Sequence, residues 1–340
     1  MKLLTYRNRE GKERLGFQID DGIFDMQQCA HDQGVELPDN MAAFLLGGER
    51  VMDLARKVHE AAKNGNVEKA FGRSEVTLLA PVPHPTSCRD GYAFRQHVAT
   101  ARRNRGVEMI PEFDQYPIFY FTNHNAIYGE GDLVLEQDHF QKLDFELECA
   151  VVIGKRGKNV TSDTADSYIA GYTIMNDLSA RLLQMEEMKL NLGPAKGKDF
   201  ATTIGPWLVT VDELADHRLS SPFGDRYDLR MTASHNGNLI SDGNLKDMNW
   251  TFAELVERAS YGTEIYPGDV IGSGTVGTGC YLELNGTHAL EAKAKGEDFT
   301  PIWLQPGDSI ELEIEDLGRL SNRVLKAESD YSILAQKKNV

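Results

Sequence analysis

In Leu143-Asp144-Phe145-Glu146-Leu147-Glu148-Cys149, apolar and acidic residues alternate at period two. In a strand this sets Glu146 and Glu148 on one face, about 7 Å apart. Such a pair alone commonly belongs to a solvated outer face. Here the run continues into AVVIG, apolar on both sides as in a central strand. Two carboxylates there need a compensating charge, which a hard divalent cation with oxygen ligands supplies. Asp177 follows where the apolar YIAGYTIM ends and the helical run ARLLQMEEMK begins, although it or Ser179 equally suits a helix cap. The stretch from Gly193 to Thr202 is rich in glycine and carries Lys198, so its backbone can approach a ligand closely. Asp90 precedes His97 by about two turns if the segment is helical, and the two could serve one cavity. Of the nine histidines, His97 and His124 stand near other polar candidates.

Other chemistries fit less well. Gly272-Ser273-Gly274-Thr275-Val276-Gly277 matches a dinucleotide-binding fingerprint, but TGCYLELNG after it reads as a strand rather than the helix that such a site requires. No GxSxG elbow is present. Cys29, Cys88, Cys149 and Cys280 are widely spaced, which suggests reduced, buried thiols. Acidic residues outnumber basic ones by 52 to 36, giving a net charge of −16 that disfavours nucleic acid and anionic lipid as partners. No apolar run reaches the roughly 18 residues of a membrane span, and the opening MKLLTYRNRE lacks a secretory signal, so the expected location is cytoplasmic.

The elements that must position these residues are mostly strands. The 340 residues suffice for two domains, and the proline-rich VTLLAPVPHPTS suggests a boundary near residue 80. Residues 1–80 read as a small α+β unit: short strands to about residue 26, then a helix capped by Asp39 or Asn40, carrying Met41, Phe44, Leu45, Val51, Leu54 and Val58 and ended by AAKNGN. Residues 81–340 read as a mostly antiparallel or mixed β assembly with few helices, including PIFYF, DLVLE, PWLVTV, CYLELNG, SIELEIE and a hairpin turning at Asn236-Gly237. Pro-Gly-Asp occurs at 267–269 and 306–308, as a common turn or the trace of a duplication.

The segments DGYAFRQHVAT, LDFELE, MNDLSAR with Gln184, GKDFATT followed by PW, and SGT followed by CYLEL occur in the order seen in the fumarylacetoacetate hydrolase superfamily, which residues 80 to 325 resemble. The acid before the histidine is most similar to fumarylacetoacetase-type members. The resemblance implies a fumarylacetoacetase C-terminal-like β-roll or barrel, α+β in class, behind a small amino-terminal domain. It makes Asp90, Glu146, Glu148 and Asp177 ligands of a divalent cation, Mg²⁺ or Ca²⁺ or also Mn²⁺, with Lys198 and Thr202 beside the metal and no organic cofactor. His97 corresponds to the general base, oriented by Glu283, and Lys198 and Gln184 to oxyanion donors. Tyr92, Gln184 and Thr275 correspond to substrate contacts. The substrate arginine falls among Arg102, Arg103 and Arg105, with Arg105 as the candidate, and Met188 stands where the family has a tyrosine. The implied reaction is hydrolysis of the C–C bond of a β-diketo acid, foremost fumarylacetoacetate, by a homodimer. The superfamily's alternatives are acylpyruvate or diketo-sugar-acid hydrolysis, oxaloacetate decarboxylation and dienoate isomerisation or hydration. A remoter alternative is a non-catalytic metal-dependent binding protein.

Overall fold

The computed structural model describes residues 1–65 and 71–336. Asn66 of the AAKNGN run and residues 337–340 at the end of the expected catalytic unit lie outside them. The chain opens with strands β1 (Lys2–Arg7), β2 (Glu13–Ile19) and β3 (Gly22–Asp25), followed by helices α1 (Met26–Asp32), α2 (Met41–Leu46) and α3 (Gly48–Lys63). The single helix read from Asn40 is thus two, broken at Gly47, with the Asn40 side chain accepting from Ala43 N. On α3, Ala55, Val58, His59 and Ala62 are buried at the spacing of one helix face.

Next come β4 (Cys88–Gly91), α4 (Arg95–Asn104), β5 (Phe119–Thr122), β6 (Gly131–Leu135), β7 (Leu147–Ile153), β8 (Ile169–Asp177), α5 (Arg181–Met188) and β9 (Thr202–Thr210). The chain continues through β10 (Arg230–His235), β11 (Asn238–Asn244), α6 (Phe252–Ser260), β12 (Val270–Gly272), α7 (Tyr281–Lys295), β13 (Ser309–Ile314) and β14 (Gly318–Lys326).

The main sheet contains the path β3-β2-β1-β9-β8-β7-β12-β4-β5 and is open; along this path the pairs are antiparallel except β12 with β4, and off it the short strand Ile127–Tyr128 runs parallel to the start of β9. It crosses the position of the expected boundary, because β1 pairs with β9 through Lys2↔Val209. A second sheet runs β11-β10-β13-β14-β6, with only its last pair parallel. The fold is therefore mainly β with mixed sheets, as expected. The β10–β11 hairpin turns on Asn236 and Gly237, both at positive φ of 50° and 79°. The two Pro-Gly-Asp sites share one turn: in each the aspartate accepts from the amide three residues earlier, at 3.0 Å in Tyr266 and 2.7 Å in Gln305.

Strand β7 separates two cores. Cys149, Val151 and Ile153 face the second sheet and α6, with Leu312, Leu320 and Val256. Ala150 and Val152 face the amino-terminal helices, with Phe17, Phe44 and Val58. Period two on a strand covered on both sides thus fills two compartments from one backbone.

Candidate metal centre and cavity

The strand register assembles the acidic residues. Across β7, β8, β12 and β4 the partners are Glu148↔Met175, Ala150↔Gly272 and Gly272↔Asp90. Glu148, Asp90 and Asp177 therefore continue the same face as Ala150, Cys88 and Met175, just beyond the apolar layer. Glu146 joins them from the break between the short strand Leu143–Asp144 and β7. One carboxylate oxygen each of Asp90, Glu146, Glu148 and Asp177 lie within 4.8 Å of one another, and all four residues are buried. Gly272 makes the space: a Cβ there would meet Asp90 Oδ1 at 2.5 Å and Glu148 Oε2 at 3.0 Å.

Lys198 Nζ donates to Asp177 Oδ2 at 2.7 Å and also to Glu146. Arg181 reaches Glu146 Oε1 at 2.7 Å and Asp144 Oδ2 at 2.8 Å. Tyr120 OH donates to Asp177 Oδ2. Five buried carboxylates thus share two cationic side chains, a deficit of three charges that a divalent cation reduces to one. Glu148 Oε2 and Asp177 Oδ1 are buried without a hydrogen-bond partner. Unsatisfied hard oxygens in a negative cluster fit Mg²⁺, Mn²⁺ or Ca²⁺. The electrostatics agree: burial and the charge of Asp177, against a hydrogen bond with Glu148, push Asp90 up to about 7. Burial and Asp90 push Glu148 well above the carboxylate range. Burial also raises Asp177, although Lys198 opposes it. For Glu146, burial is overcome by Lys198 and Arg181, which hold it at about 2.

Beside the cluster lies a cavity of about 590 Å³ whose wall includes Asp90, Tyr92, His97, Arg105, Glu146, Gln184, Met188, Lys198 and Thr275. His97 Nδ1 stands 2.7 Å from Glu283 Oε2. Asn104 Nδ2 donates to Glu283 O at 2.9 Å, tying α4 to α7. Gly286 lets the two helices approach, since a Cβ there would lie 2.5 Å from Asn104. Thr275 Oγ1 lies 3.4 Å from Glu148. Thr202 is buried and paired in register with Asp177, away from the cavity wall. Of the three arginines Arg105 is the one in the wall, its Nε donating to Ala101 O at 3.1 Å, whereas Arg102 bonds Glu108 O and Arg103 bonds Thr287 Oγ1 at 3.1 Å. His124 is exposed and outside the wall.

Two local expectations are corrected. Asp90 and His97 do not share a helix: Asp90 ends strand β4 and His97 lies in α4. CYLELNG is not a strand but the start of α7. A helix therefore does follow the GSGTVG run, and what fills its N-terminus is Asp144, which accepts from Tyr281 N at 2.7 Å and Leu282 N at 2.9 Å. That buried carboxylate occupies the place a pyrophosphate would need. In the glycine-rich loop, Gly193 and Pro194 reach the cavity wall, while the Ala195, Lys196 and Gly197 N–H groups donate to the Glu187 carboxylate. Gly197 packs against Gln184, where a Cβ would lie 2.6 Å from its backbone, and this contact sets Lys198 in place.

Tyr120, Asp144 and Arg181 were not singled out from sequence. Asp144 shares the period of Glu146 and Glu148, and Arg181 stands in the quoted MNDLSAR, so both carried a signal. Tyr120 sits in PIFYF, where nothing separates it from its aromatic neighbours.

Residues 86–325 match the model of the fumarylacetoacetate (FAA) hydrolase C-terminal family. The chain is 32% identical over 324 residues to the oxaloacetate tautomerase YisK of Bacillus subtilis (strain 168), spanning 91% of this chain and 95% of that protein. It is 32% identical over 292 residues to the mitochondrial oxaloacetate tautomerase FAHD2A of Homo sapiens, spanning 85% and 81%. The solved fumarylacetoacetate hydrolase of Exiguobacterium antarcticum aligns with a TM-score of 0.69 at 24% identity, over 96% of this chain and 100% of the other, a likeness of fold.

Proposed function

The chain belongs to the fumarylacetoacetate hydrolase family, and on that premise we propose that it is a divalent-cation-dependent enzyme interconverting the keto and enol forms of oxaloacetate or a related 2-oxo diacid. The observation that carries this reading is one cavity joining the four-carboxylate cluster to a His97–Glu283 pair. The oxaloacetate tautomerases matched over most of the chain favour this branch over cleavage of fumarylacetoacetate.

Asp90, Glu146, Glu148 and Asp177 would hold the cation, with Thr202 alongside. When bound, the cation supplies Lewis acidity that favours electron density on the adjacent oxygens of a 2-oxo acid. Glu283 holds Nδ1 of His97, which leaves Nε2 to take a proton from C3 of the keto form and return it in the reverse direction. Lys198 has three N–H donors, two engaged by Asp177 and Glu146, and the third is available to the substrate oxygen on which charge develops. Gln184 Oε1 accepts from Arg181 at 3.0 Å, so its amide N–H groups remain for substrate. Arg105 suits the distal carboxylate, with Tyr92 and Thr275 shaping the space between.

A second reading, hydrolysis of a β-diketo acid, is favoured by the size of the cavity and by its apolar Ile118, Met185 and Trp303, which leave room for a longer acyl arm. In that reaction His97 would take its proton from water. Exposed Ile118 and Phe121 on or beside the edge strand β5 support a homodimer, which sedimentation tests. Among the described residues no helix is long and apolar enough to cross a membrane.

The deciding experiment follows the ultraviolet enol absorbance of oxaloacetate with Mg²⁺, Mn²⁺ or Ca²⁺, with pyruvate release, fumarylacetoacetate and acylpyruvates assayed in parallel. Accelerated enol–keto relaxation without pyruvate supports the proposal. No acceleration with any cation, alongside consumption of a β-diketo acid, replaces it with the hydrolase. Binding without turnover of any of these compounds would leave the binding-protein reading.

A further inference from the structure

We propose that Cys280, His97 and Glu283 form a second cation site, selective for thiophilic divalent metals such as Zn²⁺ and Cd²⁺ and distinct from the four-carboxylate cluster. One ligand atom from each of the three lies within 4.8 Å of the other two, and all three residues are buried. Cys280 is the N-cap of α7 and Glu283 lies three residues on, so the first helical turn brings thiol and carboxylate together. His97 is delivered from α4 by the contact at Gly286 and Asn104.

The donors differ in kind from those of the carboxylate cluster. A sulfur, a nitrogen and an oxygen suit Zn²⁺ with a fourth position open, whereas four carboxylates suit Mg²⁺ or Ca²⁺. The charges also close. A divalent ion with thiolate, carboxylate and neutral imidazole is neutral overall, as burial demands. Loading the site releases the thiol proton to solvent and leaves the imidazole proton on the ring nitrogen not facing the metal. His97 lies in the cavity wall, which gives the ion its path. An ion there engages the His97–Glu283 pair, so the enzyme should be inhibited by Zn²⁺ even with Mg²⁺ saturating. That consequence rests on the reading of His97 as base; binding itself does not.

The test uses the full chain with saturating Mg²⁺. Cd²⁺ titration should raise a thiolate-to-metal charge-transfer band in the ultraviolet, and Zn²⁺ should abolish turnover, reversibly on chelation. Cys280→Ala should keep the basal activity, lose the band and need at least about tenfold more Zn²⁺ for half inhibition. Cys280→Ser serves if the alanine variant folds poorly. An unchanged band and unchanged Zn²⁺ sensitivity in both variants would overturn the site. A Cys280-dependent band with no loss of turnover would uphold the site and count against His97 as the base.

Discussion

His97 and Gly272 show how much rests on single positions. If His97 moves the C3 proton, His97→Ala should lower kcat by about 10²- to 10⁴-fold while divalent-ion binding by calorimetry stays intact; retained turnover would remove it from the mechanism. Gly272 acts by what it lacks. In Gly272→Ala the new Cβ would also stand 2.8 Å from Met175 Sδ, enclosed on three sides. We expect cation affinity to fall about 10- to 100-fold, the scale of losses on disturbing a ligand's support, with the fold retained by circular dichroism. Glu146 and Glu148 were legible because carboxylates on a strand covered on both faces demand a counter-charge, whereas Asp90 and Asp177 joined them only through the family resemblance. Gly272 was visible only as part of a dinucleotide-binding pattern, since its neighbours Asp90 and Glu148 lie far away in sequence.

The same limit appears in helix α7. Tyr281, Glu283 and Asn285 are buried in alternation, and Gly286 lies inside the helix, so its first turns resemble a strand. Its cap is Asp144, more than a hundred residues earlier, and no local pattern shows it. The later Ala-, Glu- and Lys-rich turns and the left-handed Gly296 at its end did carry a helix signal. The strands, by contrast, were legible through period two, as was the Asn236-Gly237 turn. Asp144 joins Arg181 to the start of α7, so Asp144→Ala strips a cap and leaves a buried guanidinium half paired. A loss of about 3–5 kcal/mol in denaturant unfolding is expected. Activity should fall with it because Glu283 rides on that helix; an unchanged midpoint would show that the pairing is dispensable.

For the whole molecule, the cluster couples stability to cation and pH. Burial and the charge of Asp177 push Asp90 up to about 7, above the ordinary carboxylate value, so folding favours its neutral form. That stability is complete below the ordinary carboxylate range and is lost as pH rises through about 7, and Glu148 and Asp177 shift in the same direction. Glu146, held near 2, works oppositely, its contribution vanishing only as pH falls toward that value. Mg²⁺ should therefore raise Tm more at about pH 8 than at about pH 5, with about 2.7 kcal/mol gained at a hundredfold excess over Kd. Equal shifts at both pH values, measured by calorimetry, would place cation binding elsewhere. Strand β7 has a historical consequence as well. Because its consecutive side chains answer to different neighbours, descendants can revise the packing under Val151 and under Val152 along separate lineages of substitution. Only the even-numbered side shares its register with the carboxylates, so drift there is the more tightly policed, and an ancestral reconstruction should find its slowest-changing apolar positions on that side.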